Sequence, residues 1–190
     1  MTRIAKSGST WITCAPSPQK NDSGWSSKSR LGWLRPYSIV DIESLLKSLS
    51  AHDVKFVVIG AMAFPIHGYA RATLDIDLFI EPTLGNAQRC RQALGAFGYD
   101  VTDCSAEDFL SKKVLIRQYV VACDVHPFVK GVAWEEVWDH RVSGKIGAAS
   151  ASFASLEDLI KMKEAAGRPK DVEDLKYLRG LRPDTASPNP

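Results

Sequence analysis

No stretch of this chain holds the roughly 20 consecutive apolar residues that a membrane-crossing helix needs, and the N-terminus lacks the apolar middle of a secretory signal. Neither a membrane span nor a secretory leader is expected. Cysteine is sparse: Cys14, Cys90, Cys104 and Cys123 are scattered, without the close pairs of a zinc site or a redox motif. They are expected to be reduced thiols in a cytoplasmic protein. The glycines never gather into the repeated glycines of a dinucleotide loop, and there is no Gly-Lys-Ser/Thr of a P-loop. A strong charge surplus is missing too, since the formal net charge of +2 argues neither for nor against nucleic acid.

What is present suits one compact domain, because 190 residues with a hydrophobic fraction of 45% are enough to fill a core. The basic residues are unevenly placed. Arg3, Lys6, Lys20, Lys28, Arg30 and Arg35 are opposed only by Asp22, in a stretch rich in Ser, Gly and Pro with isolated Trp11, Trp25 and Trp33. Residues 1–36 are therefore expected to be a flexible basic tail, either an arm that touches nucleic acid or a plain extension. The domain is expected over 37–180, followed by a disordered tail over 181–190.

Order begins near Ser38, where Ser38 and Asp41 have capping-box spacing and Ile39, Ile42, Leu45, Leu46 and Leu49 form a helical stripe to about Ser50. Lys55 to Ile59 reads as a buried strand, Gly60 as a turn, and Ala61 to His67 as a short helix closed by Gly68. A helix from Asn86 to Phe97 ends at Gly98, with strands near Tyr99 to Thr102 and Val114 to Val125. Trp134 to Trp138 looks helical, with the two tryptophans at core spacing; Arg141 to Ile146 and Ala151 to Phe153 look like edge strands. Helices from Leu156 to Ala166 and Pro169 to Leu178 close the chain. This is a mixed α/β pattern.

The chemistry concentrates in Leu74-Asp75-Ile76-Asp77-Leu78-Phe79-Ile80. Side chains alternate along a strand, so Asp75 and Asp77 share one face and Leu74, Ile76, Leu78 and Ile80 the other. Two carboxylates about 7 Å apart repel and call for a cation or another partner between them. Oxygen-only ligands favour magnesium or manganese over zinc. Asp124 ends the apolar run Gln118 to Val125, where a buried charge needs a reason. On a neighbouring strand it would bring a third carboxylate to one edge and allow two divalent ions; otherwise it marks a strand end. Gly60, between strand and helix, would let backbone N–H groups approach a phosphate, although such a turn is also an ordinary device. His126, two residues after Asp124, shares its face if the strand continues, while His67 reads as a packing residue.

Gly60-Ala61-Met62-Ala63 through His67-Gly68, then Arg71, Thr73 and Asp75-Ile76-Asp77-Leu78, resemble the signature of minimal nucleotidyltransferases, in particular the AbiEii-like toxin family. The likeness continues through Asp124, through Trp134 to Val142 and Leu156 to Lys163, and ends with Ala166 to Asp171 and Asp174-Leu175. It implies a polymerase-β-like nucleotidyltransferase fold, a mixed twisted sheet flanked by helices, using Mg2+ or Mn2+ and a nucleoside triphosphate. By motif match Asp75, Asp77 and Asp124 would hold metal, and Gly60, Ala61, Arg71 and Thr73 the nucleotide. Lys163 and Asp171 match a helix lysine and an Arg/Lys-Asp aspartate that matter for activity in related toxins. Ala61 departs from the family's glycine or serine and offers no hydroxyl. The implied reaction moves a nucleoside monophosphate to an acceptor hydroxyl, in tRNA or other RNA, a protein or a small molecule, and releases pyrophosphate. An antitoxin protein would be a partner. The rival reading is a non-catalytic nucleotide-binding or toxin–antitoxin interaction module of the same fold. Lys163 has its own ordinary reading as a solvated lysine beside Lys161.

Overall fold

The computed structural model describes residues 11–14, 39–118 and 121–182. The chain runs through strand β1 (Trp11–Cys14), helix α1 (Ile39–Ala51), β2 (Phe56–Ile59), a 3-10 helix (Gly60–His67) and β3 (Asp75–Ile80). There follow α2 (Leu84–Phe97), the single turn α3 (Asp108–Ser111), β4 (Lys113–Arg117), β5 (Ala122–His126) and α4 (Trp134–His140). The hairpin β6 (Val142–Ile146) and β7 (Ala149–Phe153) precedes α5 (Leu156–Ala166) and α6 (Pro169–Gly180). The strands form one mixed sheet in the order β1-β4-β5-β3-β2-β7-β6, flanked by helices. This is the α/β class that the alternation of elements predicts.

The boundaries follow local chemistry. Thr83 caps α2 by accepting from the Asn86 N–H, and Ser155 caps α5 by accepting from the Asp158 N–H. Gly68, Gly98 and Gly167 end three helices in the left-handed conformation, where a Cβ is disfavoured. In α1 the residues Ile42, Leu45, Leu46 and Leu49 are buried, and α1 packs on α2 and β7. On β3 the side chains of Ile76, Leu78 and Ile80 are fully buried. Each contributes on the order of 1.5–3 kcal/mol by leaving water, which fixes the strand's register and turns its aspartates to the other face. Leu74 is the exception to the expected stripe. It lies before the strand begins and is 82% exposed.

Four expectations are corrected. Tyr99 to Thr102 is a loop, because the Gln118 side chain takes the place of a neighbouring strand: Asp100 N–H donates to Gln118 Oε1 and Gln118 Nε2 donates to the Asp100 carbonyl. Val114 to Val125 is two antiparallel strands, β4 and β5, with Leu115 opposite Asp124. Within the expected tail, residues 11–14 form β1, parallel to β4, with Ile12 buried. Finally, Cys14 is bonded to Cys104, so these two are not the expected thiols, whereas Cys90 and Cys123 are buried and free. The rest of 1–36, including Trp25 and Trp33, lies outside the described residues, as do 183–190. Of the residues placed by sequence in the C-terminal tail, Leu181 caps α6 and Arg182 pairs with Glu157. No helix among the described residues is long and apolar enough to cross a membrane.

Candidate active site

Strands β3 and β5 are parallel neighbours in a register that sets Asp77 opposite Asp124 and Phe79 opposite His126. The two carboxylates thus rise side by side from the middle of the sheet. Asp77 also sits over the turn that leaves β2, where Gly60 has φ +66° and a Cβ would lie 2.3 Å from Asp77 Oδ2. Only glycine permits both the left-handed backbone and the close carboxylate. Gly60, Ala61, Arg71, Thr73, Asp75, Asp77, Asp124 and Lys163 all line one cleft of about 160 Å³, together with Lys113, His126, Arg168 and Lys170. Of the residues that the resemblance assigns to the site, Asp171 alone stands behind the wall. It is fully buried and reaches the cleft through Lys163.

Each carboxylate of the cleft has a different partner. Asp77 Oδ1 lies 2.9 Å from His126 Nε2. Burial pushes the Asp77 carboxyl up, but the His126 hydrogen bond and the nearby charges of His126, Lys113 and Lys163 outweigh it and hold Asp77 below its ordinary value. Asp124 is paired twice from β4, with Lys113 at 2.6 Å and Arg117 at 2.5 Å. Asp75 Oδ1 accepts from the Thr73 hydroxyl at 2.8 Å. Thr73 therefore orients a carboxylate. Ala61 is buried and presents no hydroxyl to the cleft.

Behind this row lies a second layer of charge. Lys163, only 6% exposed, holds Asp171 and Asp174 at 2.8 Å each. Arg168 forks onto Asp171 at 2.6 and 3.1 Å, and Arg71 onto Asp174 at 2.8 and 3.2 Å. Burial raises the Asp171 carboxyl, yet the hydrogen bonds from Arg168 and Lys163 bring it down to about 2. Arg71 is thus an anchor between the segment before β3 and helix α6. The ordinary reading of Lys163 as a solvated lysine is corrected, because α6 supplies two carboxylates that a pattern within α5 cannot show.

Sequence reasoning missed Lys113 and Arg117 and gave no role to Arg168 and Asp174, although both lie in the runs that carry the resemblance. Lys113 and Arg117 flank Leu115, the cross-strand partner of Asp124, at period two and so share Asp124's face of the sheet, a signal hidden by the apolar Val114-Leu115-Ile116. Asp174 follows Asp171 by one helical turn. His67 Nε2 donates to the Ala154 carbonyl at 2.8 Å, which suits packing. Trp134 is buried edge-on against Phe79, and Trp138 stacks on it.

The residues present fit a divalent cation. Ligand atoms of Asp77, Asp124 and His126 lie within 4.8 Å of one another, and Gly60 leaves open the space around Asp77 that a Cβ would fill. A family model described as a nucleotidyltransferase of unknown function (DUF6036) matches residues 38–179. Among curated proteins none matches the chain. A solved structure of a "putative nucleotidyltransferase" from Thermotoga maritima is similar at 16% identity and a TM-score of 0.48, over 74% of this chain and 91% of that one.

Proposed function

The chain belongs to this nucleotidyltransferase family, and on that premise we propose that it moves a nucleoside monophosphate from a nucleoside triphosphate to an acceptor hydroxyl, releasing pyrophosphate. The observation that carries the reading is Asp77 standing opposite Asp124 in register, with Asp75 on the same strand face and Gly60 beneath. Divalent metal held by Asp75, Asp77 and Asp124 would supply charge neutralisation at the triphosphate and activation of the attacking hydroxyl. The chain's own groups do the rest. Gly60 admits the nucleotide's phosphates next to the backbone at the start of the 3-10 helix. Lys163, fixed by Asp171 and Asp174, offers its remaining N–H and its charge to phosphate oxygens. Arg168 and Lys170 at the rim extend that positive wall. The likeness of the chain's motifs to AbiEii-like toxins favours an RNA or protein acceptor and a neutralising partner protein.

The test incubates the full chain and its Asp75→Ala/Asp77→Ala variant with Mg2+ or Mn2+, each α-labelled triphosphate and an extract of RNA and protein. Label on a discrete band, lost in the variant, supports nucleotidyl transfer and names the acceptor class. The alternative, a non-catalytic nucleotide-binding or toxin–antitoxin module, draws on Ala61 and on the pairing of Asp124 with two protein cations. It predicts triphosphate binding without pyrophosphate release.

A further inference from the structure

The donor set assembled on β3 and β5 is not made of oxygen alone. His126 follows Asp124 by two residues on β5, so the parallel register delivers its ring to the same face as both aspartates. Its Nε2 is 2.9 Å from Asp77 Oδ1, and its side chain is 15% exposed within the cleft. Two donors bound next to each other on an octahedral ion with bonds of about 2.1 Å stand about 3.0 Å apart, and opposite donors about 4.2 Å. The 2.9 Å between His126 Nε2 and Asp77 Oδ1 is the spacing of neighbouring donors, and a carboxylate oxygen of Asp124 lies within 4.8 Å of both.

The partners of each group decide between a metal corner and a static ion-pair network. Glu136, His140 and Asp158 meet the same spacing, but the Lys161 ammonium already contacts both carboxylates there. Asp77, by contrast, has no lysine or arginine in ion-pair distance among the described residues; its partner is an imidazole, which can itself be a ligand. Asp124 keeps capacity as well, since each carboxylate oxygen has two lone-pair sites and Lys113 and Arg117 occupy one on each. Asp75 stands outside the group and is held by Thr73.

We propose that His126 is a nitrogen ligand, through Nε2, to a divalent ion that it shares with Asp77 and Asp124, and that this mixed donor set makes the site favour Mn2+ over Mg2+. The neutral ring then carries its hydrogen on Nδ1. Mg2+ keeps oxygen ligands and water, whereas imidazole suits the later first-row ions, and Mn2+ accepts both. The inference deepens the nucleotidyltransferase reading by naming a ligand and a metal preference for the same site.

The experiment loads the full chain with Mn2+ alone and records pulsed electron paramagnetic resonance for coupling to 14N, beside calorimetric titrations with Mn2+ and with Mg2+. Expected are a nitrogen coupling in the parent chain and its loss in His126→Gln. That variant should bind Mn2+ about tenfold or more weakly and Mg2+ within about twofold of the parent. Mn2+ bound without nitrogen coupling, no Mn2+ binding, or an unchanged Mn2+ affinity in His126→Gln overturns the proposal. The spectrum of the parent chain needs no variant, so a misfolded substitution cannot hide the answer. Labelled transfer without nitrogen coupling would sink this ligand and leave the enzyme; nitrogen coupling without transfer from any triphosphate would do the reverse.

Discussion

Gly60 is the residue on which the site turns. Gly60→Ala places a Cβ 2.3 Å from Asp77 Oδ2 on a backbone at φ +66°, so it should cost about 1–3 kcal/mol in urea unfolding and displace the carboxylate, abolishing Mn2+ binding in the same titration. Lys163→Met should cost about 2 kcal/mol, less than the about 3–5 kcal/mol of an uncompensated buried pair, because Arg168 and Arg71 still face the two aspartates. Guanidinium unfolding of the variant measures it. Asp171 titrates near 2 instead of 3.8, so its ionisation stabilises the fold fully above about pH 4 and that contribution fades as the pH falls towards 2. About 2 kcal/mol should vanish across that window, and Asp171→Asn should flatten this limb of the acid-stability curve. Asp75, Asp77 and Asp124 were legible because alternation and an apolar run that ends in a charge are local signals. Lys163 was not, since its burial depends on carboxylates from another helix, and the same holds for the reach of His126 from β5 to Asp77.

Among the elements, β1 is where sequence and structure part most. Four residues, Trp11–Cys14, carry too little periodicity to announce a strand, and what holds them is non-local: the edge of β4 and the Cys14–Cys104 bond across 90 residues of sequence. Alkylation of the unfolded, unreduced chain should therefore count two thiols, and four after reduction; four from the outset would remove the bond. Reduction should also lower stability by about 2–4 kcal/mol, read from the shift in the denaturant midpoint. The helices α1, α2, α5 and α6 were readable from stripes and caps. The loop at 99–102 was not, because Tyr99 is buried and apolar like a strand residue, yet its hydroxyl donates to the Val121 carbonyl and the neighbouring backbone pairs with Gln118.

At the scale of the whole molecule, β3 is the middle strand of seven, with three on either side. Amides of Ile76 to Leu78 and of Cys123 to Val125 should exchange with deuterium only on global unfolding, while those of β1 and β6 at the sheet edges exchange through local opening; comparable rates throughout would contradict this order. The fold class was visible in the sequence as alternating elements, but the strand order was not, since it interleaves partners from opposite ends of the chain. The same interleaving governs when the site comes into being during synthesis. The turn at Gly60 emerges first; the paired aspartates are complete only after Asp124, and the lysine with its two supporting carboxylates only after Asp174. A growing chain therefore carries a partial cleft until α6 has been made, and under the proposed reaction fragments cut before α5 should be inert however well their sheet forms.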